Sequence, residues 1–103
     1  LARLAAEANR QLNRVDYVVA GDWNDLAGPF DLVIAADVLY DRENLPLLNQ
    51  FLQRAPEVLV ADSRIRDFDV PPYRLMARVL SSTWPDLDEF DEFRDVRIYH
   101  ARR

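Results

Sequence analysis

Three aspartates carry the chemistry this sequence could perform. Asp22 follows the run at residues 15–20 (VDYVVA), Asp37 closes residues 30–37 (FDLVIAAD), and Asp62 closes Glu57–Asp62 (EVLVAD). Each run has the β-branched and apolar composition of a strand. In an open parallel sheet, ligands bind beyond the carboxyl ends of the strands. Any one of these acids also serves as a helix cap or turn residue, because Asp is common at both. Three on the same rim point to a binding site.

Composition removes several other chemistries. The 103 residues include no cysteine and one histidine, so disulfide scaffolds, thiolate metal sites and His clusters are excluded, and no metal site is expected. His100 reads as structural. All thirteen cations are arginine, which GC-rich codon usage or avoidance of self-modification by a lysine-modifying enzyme would explain. A phosphoacceptor receiver domain needs a lysine at a strand end, and there is none. A haloacid-dehalogenase-type phosphatase needs an Asp-x-Asp nucleophile, and Asp37 and Asp41 are too far apart. The net charge of -5 comes with no basic stripe, so nucleic acid is not an expected partner. No run approaches the roughly 18 apolar residues of a membrane span. The chain opens on Leu1 with an amphipathic, charged pattern, unlike a signal peptide.

The elements that must position the aspartates follow from periodicity. Residues 1–12 place Leu1, Leu4, Ala5, Ala8 and Leu12 at helical spacing, with a stop at Asn13. Strands are predicted at 15–20, 30–37 and 57–62. The near-continuous apolar run at 30–37 predicts a parallel strand covered on both faces. Residues 44–54 place Leu45, Leu48, Phe51 and Leu52 on one helical face, with Pro46 in the first turn. A third helix is predicted from Pro71 to about Ser81, with Tyr73, Met76, Val79 and Leu80 inward. A strand at 96–101 and a weaker one within 83–88 complete the chain. The order α-β-β-α-β-α-β-β predicts an α/β fold with a mostly parallel sheet ending in an antiparallel hairpin.

Gly21-Asp22-Trp23, followed by FDLVIAADVLYD at residues 30–41, resembles the class I, seven-strand S-adenosylmethionine-dependent methyltransferases. The likeness is greatest to the methyltransferase-16 group, which includes the lysine methyltransferase of the electron-transfer flavoprotein β-subunit. Asp37-Val38-Leu39-Tyr40 matches that group's acid-x-x-aromatic motif. The resemblance implies a Rossmann-like fold, with residues 1–103 as the C-terminal part of one domain. The two first strands and the glycine-rich cofactor loop would precede Leu1.

The resemblance also implies roles. Asp22 would accept a hydrogen bond from the adenine amino group, and Trp23 would cover the ring. The alternative for Trp23 is a partly buried loop anchor. Ala36 would lie against the cofactor; the alternative for Ala35-Ala36 is small residues in a tight core. Asp37 and Tyr40 would face the substrate amine, Asp37 orienting it and Tyr40 holding the cationic product by cation–π attraction. The alternative for Tyr40 is an aromatic at the edge of the core. Asp62 and Arg64 would lie on the substrate side, although relatives often carry Asp-Pro-Gly where this chain has Asp62-Ser63-Arg64. The implied function is N-methylation of a protein lysine, or of a small amine such as nicotinamide, in the cytoplasm. The chain taken alone would be an inactive half-domain, since its only glycines are Gly21 and Gly28.

Overall fold

The computed structural model describes residues 1–39, 41–65, 67–82 and 94–103. It shows a mixed α/β arrangement of two α-helices and a four-stranded sheet. Helix α1 spans Ala2–Asn13 and α2 spans Leu45–Arg54. Strands are β1 (Val33–Ala36), β2 (Glu57–Asp62), β3 (Arg74–Leu80) and β4 (Asp95–Arg102). The sheet order is β1-β2-β4-β3. β1 and β2 are parallel, Val33 opposite Val58 and Ala36 opposite Ala61. β4 is antiparallel to β2, Glu57 opposite Arg102, and also to β3, Leu80 opposite Asp95. The sheet is therefore mixed rather than mostly parallel, with one parallel pair and two antiparallel pairs. The three strands expected at 30–37, 57–62 and 96–101 do share one sheet, and the last does run against the other two.

α2 forms where expected, and for the expected reasons. Pro46 sits in its first turn, where the missing N–H leaves no intrahelical bond unmade. Asp41 caps the preceding 3-10 turn Arg42–Asn44 by accepting from Glu43 N at 2.9 Å. Leu48, Phe51 and Leu52 then point at the sheet. They pack with Val33, Ala35, Val58, Val60, Tyr99 and Ala101 into the core. Burying side chains of this size contributes about 1.5–3 kcal/mol each.

Three expectations are corrected. Residues 15–20 carry no regular secondary structure and pair with no strand among the described residues. β-branched residues favour a pleated, half-buried surface, and here no neighbouring strand supplies one. The segment from Pro71 is not a helix: Pro71 and Pro72 make a turn, and Arg74–Leu80 is β3. Helical spacing of Tyr73, Met76, Val79 and Leu80 loses to the hydrogen-bonding ladder that β4 offers, since propensity is easily overridden by tertiary pairing. The run at 30–37 yields only the four residues of β1, and its burial alternates. Val33 and Ala35 are buried, whereas Ile34 is 70 % exposed. One face of the sheet is thus covered by α2 and the other is open at β1. The weaker strand expected within 83–88 lies outside the described residues. No helix among the described residues is long and apolar enough to cross a membrane.

Candidate functional site

The carboxyl ends of β1 and β2 lie side by side, because the two strands are parallel and in register. Ala36 is the last residue of β1, exposed, and opposite Ala61. The next residue, Asp37, has left-handed backbone geometry, with φ 56°. Its N–H donates to the Ala61 carbonyl at 3.1 Å, which holds the turn against β2. Asp is among the few non-glycine residues that tolerate this conformation, and it still stores some strain there. The Asp37 side chain is exposed at the rim.

Asp62 closes β2 on the covered side of the sheet and is only 1 % exposed. Oδ2 accepts from Arg64 N at 3.0 Å and Ile65 N at 2.7 Å, so the carboxylate caps the turn that leaves the strand. Oδ1 is buried with no hydrogen-bond partner among the described residues. A buried carboxylate oxygen with nothing to accept from is costly. The exposed Arg64 contributes its backbone to this cap. Ala36, Asp37, Asp62 and Arg64 therefore gather at one end of the β1–β2 pair. Tyr40 lies outside the described residues.

Asp22 and Trp23 do not join them. Asp22 caps the 3-10 turn Trp23–Asp25, accepting from Asn24 N at 2.9 Å and Asn24 Nδ2 at 3.2 Å. Trp23 packs edge-on to Phe51 with ring centroids 5.1 Å apart, and lies 6.0 Å from Phe30. The Arg54 guanidinium sits over the indole, 4.6 Å from its centroid. Arg54 Nη1 also donates to the carbonyls of Trp23 and Leu26, at 2.9 Å each. Phe30 precedes β1, and its N–H donates to the Arg54 carbonyl at 2.8 Å. Trp23 is thus anchored at the amino end of β1, opposite the end that carries Ala36 and Asp37.

That separation bears on the cofactor. An adenosyl group held by Asp22, Trp23 and Ala36 needs the three on one pocket wall. In this arrangement one oxygen of the Asp22 carboxylate accepts from Asn24 and the indole is overlaid by Arg54. The residues present do not form a cradle for S-adenosylmethionine.

Sequence reasoning missed a second feature of the rim. A cleft of about 170 Å³ lies between the start of α2 and the loop after β2, lined by Leu45, Ile65, Phe68 and Val70 with Arg42, Asp67 and Asp69. The only sequence signal for it is Asp67-Phe68-Asp69 in a segment that reads as polar loop. Tyr73 closes the core nearby. Its Oη donates to the Leu48 carbonyl at 2.6 Å, and burial pushes its pKa up to about 12. At the far end of the sheet, a hydrogen bond from Arg102 holds the Glu57 carboxyl below its usual range, helped by His100 at 3.6 Å. No group of three His, Asp or Glu among the described residues is placed to hold a metal ion. Comparison with protein-family models, with curated proteins and with solved structures finds no match to this chain.

Proposed function

We propose that this chain supplies the amine-acceptor side of an S-adenosylmethionine-dependent N-methyltransferase that modifies a protein lysine. The observation that carries the proposal is Asp37, an exposed carboxylate on strained, left-handed backbone at the carboxyl end of a parallel strand pair. Strain of this kind persists where the surrounding structure over-determines it, as functional sites do. A carboxylate there can orient a neutral amine and stabilise the positive charge that develops on nitrogen as it is alkylated. Two further features support the reading: the motif at residues 37–40, and a sheet that closes with an antiparallel strand. A Rossmann-like parent fold, no nucleic-acid or membrane partner and a cytoplasmic location belong to the same proposal.

The proposal requires the methyl donor's phosphate-loop-like turn and ribose acid to come from outside the 103 residues. It also requires the segment from Gly21 to Phe30 to sit differently in the complete site. The separation of Trp23 from Ala36 favours a second reading for the chain by itself, a non-catalytic half-domain. The test is transfer of a labelled methyl group from S-adenosylmethionine to lysine peptides, with nicotinamide as a small-amine acceptor, by the whole gene product and by the 103 residues alone. Transfer to lysine by the gene product alone supports both statements. No transfer to any amine by the gene product refutes the methyltransferase reading.

A further inference from the structure

Asp37 sits on left-handed backbone, φ 56°, which a residue with a side chain keeps only where its surroundings enforce it. Three contacts bracket it. On one side, the Asp37 N–H donates to the Ala61 carbonyl at 3.1 Å and ties the turn to β2. On the other, Leu39 is buried in the core. Between the two, the Val38 carbonyl accepts from Asn44 Nδ2 at 2.8 Å. The first contact is backbone and the second apolar, so many sequences could supply them. The third depends on one polar side chain. The two hydrogen bonds run within residues 37–61, and neither depends on what flanks the outer edge of β1.

Asn44 stands immediately before α2, in the N-cap position. Asparagine is favoured there because its side-chain oxygen can accept from an N–H of the first turn. Here it makes no such bond. The reason is local. The 3-10 turn Arg42–Asn44 runs directly into α2, so Asn44 has helical backbone, φ -82° and ψ -8°, in place of the extended backbone of a capping residue. Asp41 caps the turn instead, accepting from Glu43 N at 2.9 Å. The Asn44 amide is left to reach back six positions and join the start of α2 to the Asp37 turn. α2 is a firm reference, because Leu48, Phe51 and Leu52 pack it on the sheet.

We propose that Asn44 is a positioning residue: through the Val38 carbonyl, its amide fixes the direction in which the Asp37 carboxylate leaves the rim. The inference rests on the reading of Asp37 as the group that orients the acceptor amine, and adds the side chain that holds it there. In-line attack on a methyl carbon tolerates little misplacement, since a shift of about 1 Å can cost about 100-fold in rate. A loosened Asp37 therefore lowers turnover more than peptide binding.

Asn44→Asp separates positioning from stability. It preserves the size of the side chain and puts a negative charge at a helix N-terminus, where it is favoured. A carboxylate nonetheless has no proton to donate to the Val38 carbonyl. Asn44→Ala removes the donor outright. The test compares the whole gene product and these two variants by thermal denaturation, by hydrogen exchange at the Asp37 amide, and by methyl transfer to a lysine peptide. Asn44→Asp is expected to melt no lower than Asn44→Ala. In both variants the Asp37 amide is expected to exchange at least about tenfold faster than in the parent. Transfer at saturating peptide is expected to fall about tenfold or more, with the KM for peptide changed less than about twofold. Exchange at the parental rate in both variants overturns the proposal, with or without activity. So does transfer at the parental rate by Asn44→Asp, which would make Asn44 a helix-end residue only. A parent that transfers to no amine refutes the methyltransferase reading instead, and the exchange rates then decide whether Asn44 holds the Asp37 turn.

Discussion

Arg54 holds Trp23 in two ways at once: its guanidinium lies 4.6 Å from the centre of the indole ring, and its Nη1 donates to the Trp23 carbonyl at 2.9 Å. The residue that the family resemblance assigns to the adenine ring is thereby part of the packing of α2. Trp23→Ala is expected to cost about 2–4 kcal/mol of stability, as truncations of packed aromatics do. Arg54→Met removes both carbonyl contacts and the cation–π contact, and is expected to cost about 1–2 kcal/mol. Asp22→Ala removes only a turn cap, for at most about 1 kcal/mol. Urea unfolding of the three variants orders them. Trp23→Ala as stable as the parent would mean that the indole is not an anchor.

Asp62 offers a sharper contrast. Asp62→Ala leaves the N–H groups of Arg64 and Ile65 without their acceptor in a buried turn, and is expected to cost about 2–3 kcal/mol. Asp62→Asn keeps one oxygen for those donors but puts an amide NH2 where the partnerless oxygen lies, so its cost is expected to be smaller than that of Asp62→Ala, about 1–2 kcal/mol. Equal denaturation midpoints for the two variants would show that the cap at Arg64 and Ile65 contributes nothing.

Tyr73 predicts a pH window. Its pKa is raised in the folded protein to about 12, from about 10 in an unfolded chain. A group raised in this way contributes stability that is fully present below pH about 10 and lost as pH climbs through about 12. Tyr73→Phe lacks both the ionisation and the bond to the Leu48 carbonyl. The parent is therefore expected to be more stable than the variant by about 1 kcal/mol at neutral pH, with the gap shrinking across that alkaline range. A gap that stays constant to pH about 12 would contradict the burial of the phenol.

What was legible in the sequence was local and apolar. The face of α2 formed by Leu48, Phe51 and Leu52, the paired valine-rich strands at 33–36 and 57–62, and the direction of the last strand all follow from pattern. The segment 74–80 misled because Tyr73, Met76, Val79 and Leu80 suit a helix face as well as a strand, and only β4 as a partner decides between them. Residues 15–20 misled in the opposite sense: their composition is that of a strand, but a strand also needs an edge to join. At the rim, Asp37 follows β1 and Asp62 closes β2, so the ends of the parallel pair were legible from the apolar runs that precede them. Trp23 was not, because its position is set by Phe51 and Arg54, 28 and 31 positions along the chain, and no local pattern reports so distant a contact.

The methyltransferase proposal turns on Asp37 facing an amine acceptor. Asp37→Asn tests it cleanly, since asparagine also tolerates the left-handed backbone and the fold is expected to lose less than about 0.5 kcal/mol. The measurement is single-turnover transfer of a labelled methyl group to a lysine peptide by the whole gene product and by this variant. The expected rate is lowered by about 100-fold or more with the peptide's affinity little changed, as when an interaction made only in the transition state is lost. Equal rates in the two proteins would contradict it and leave Asp37 a turn residue.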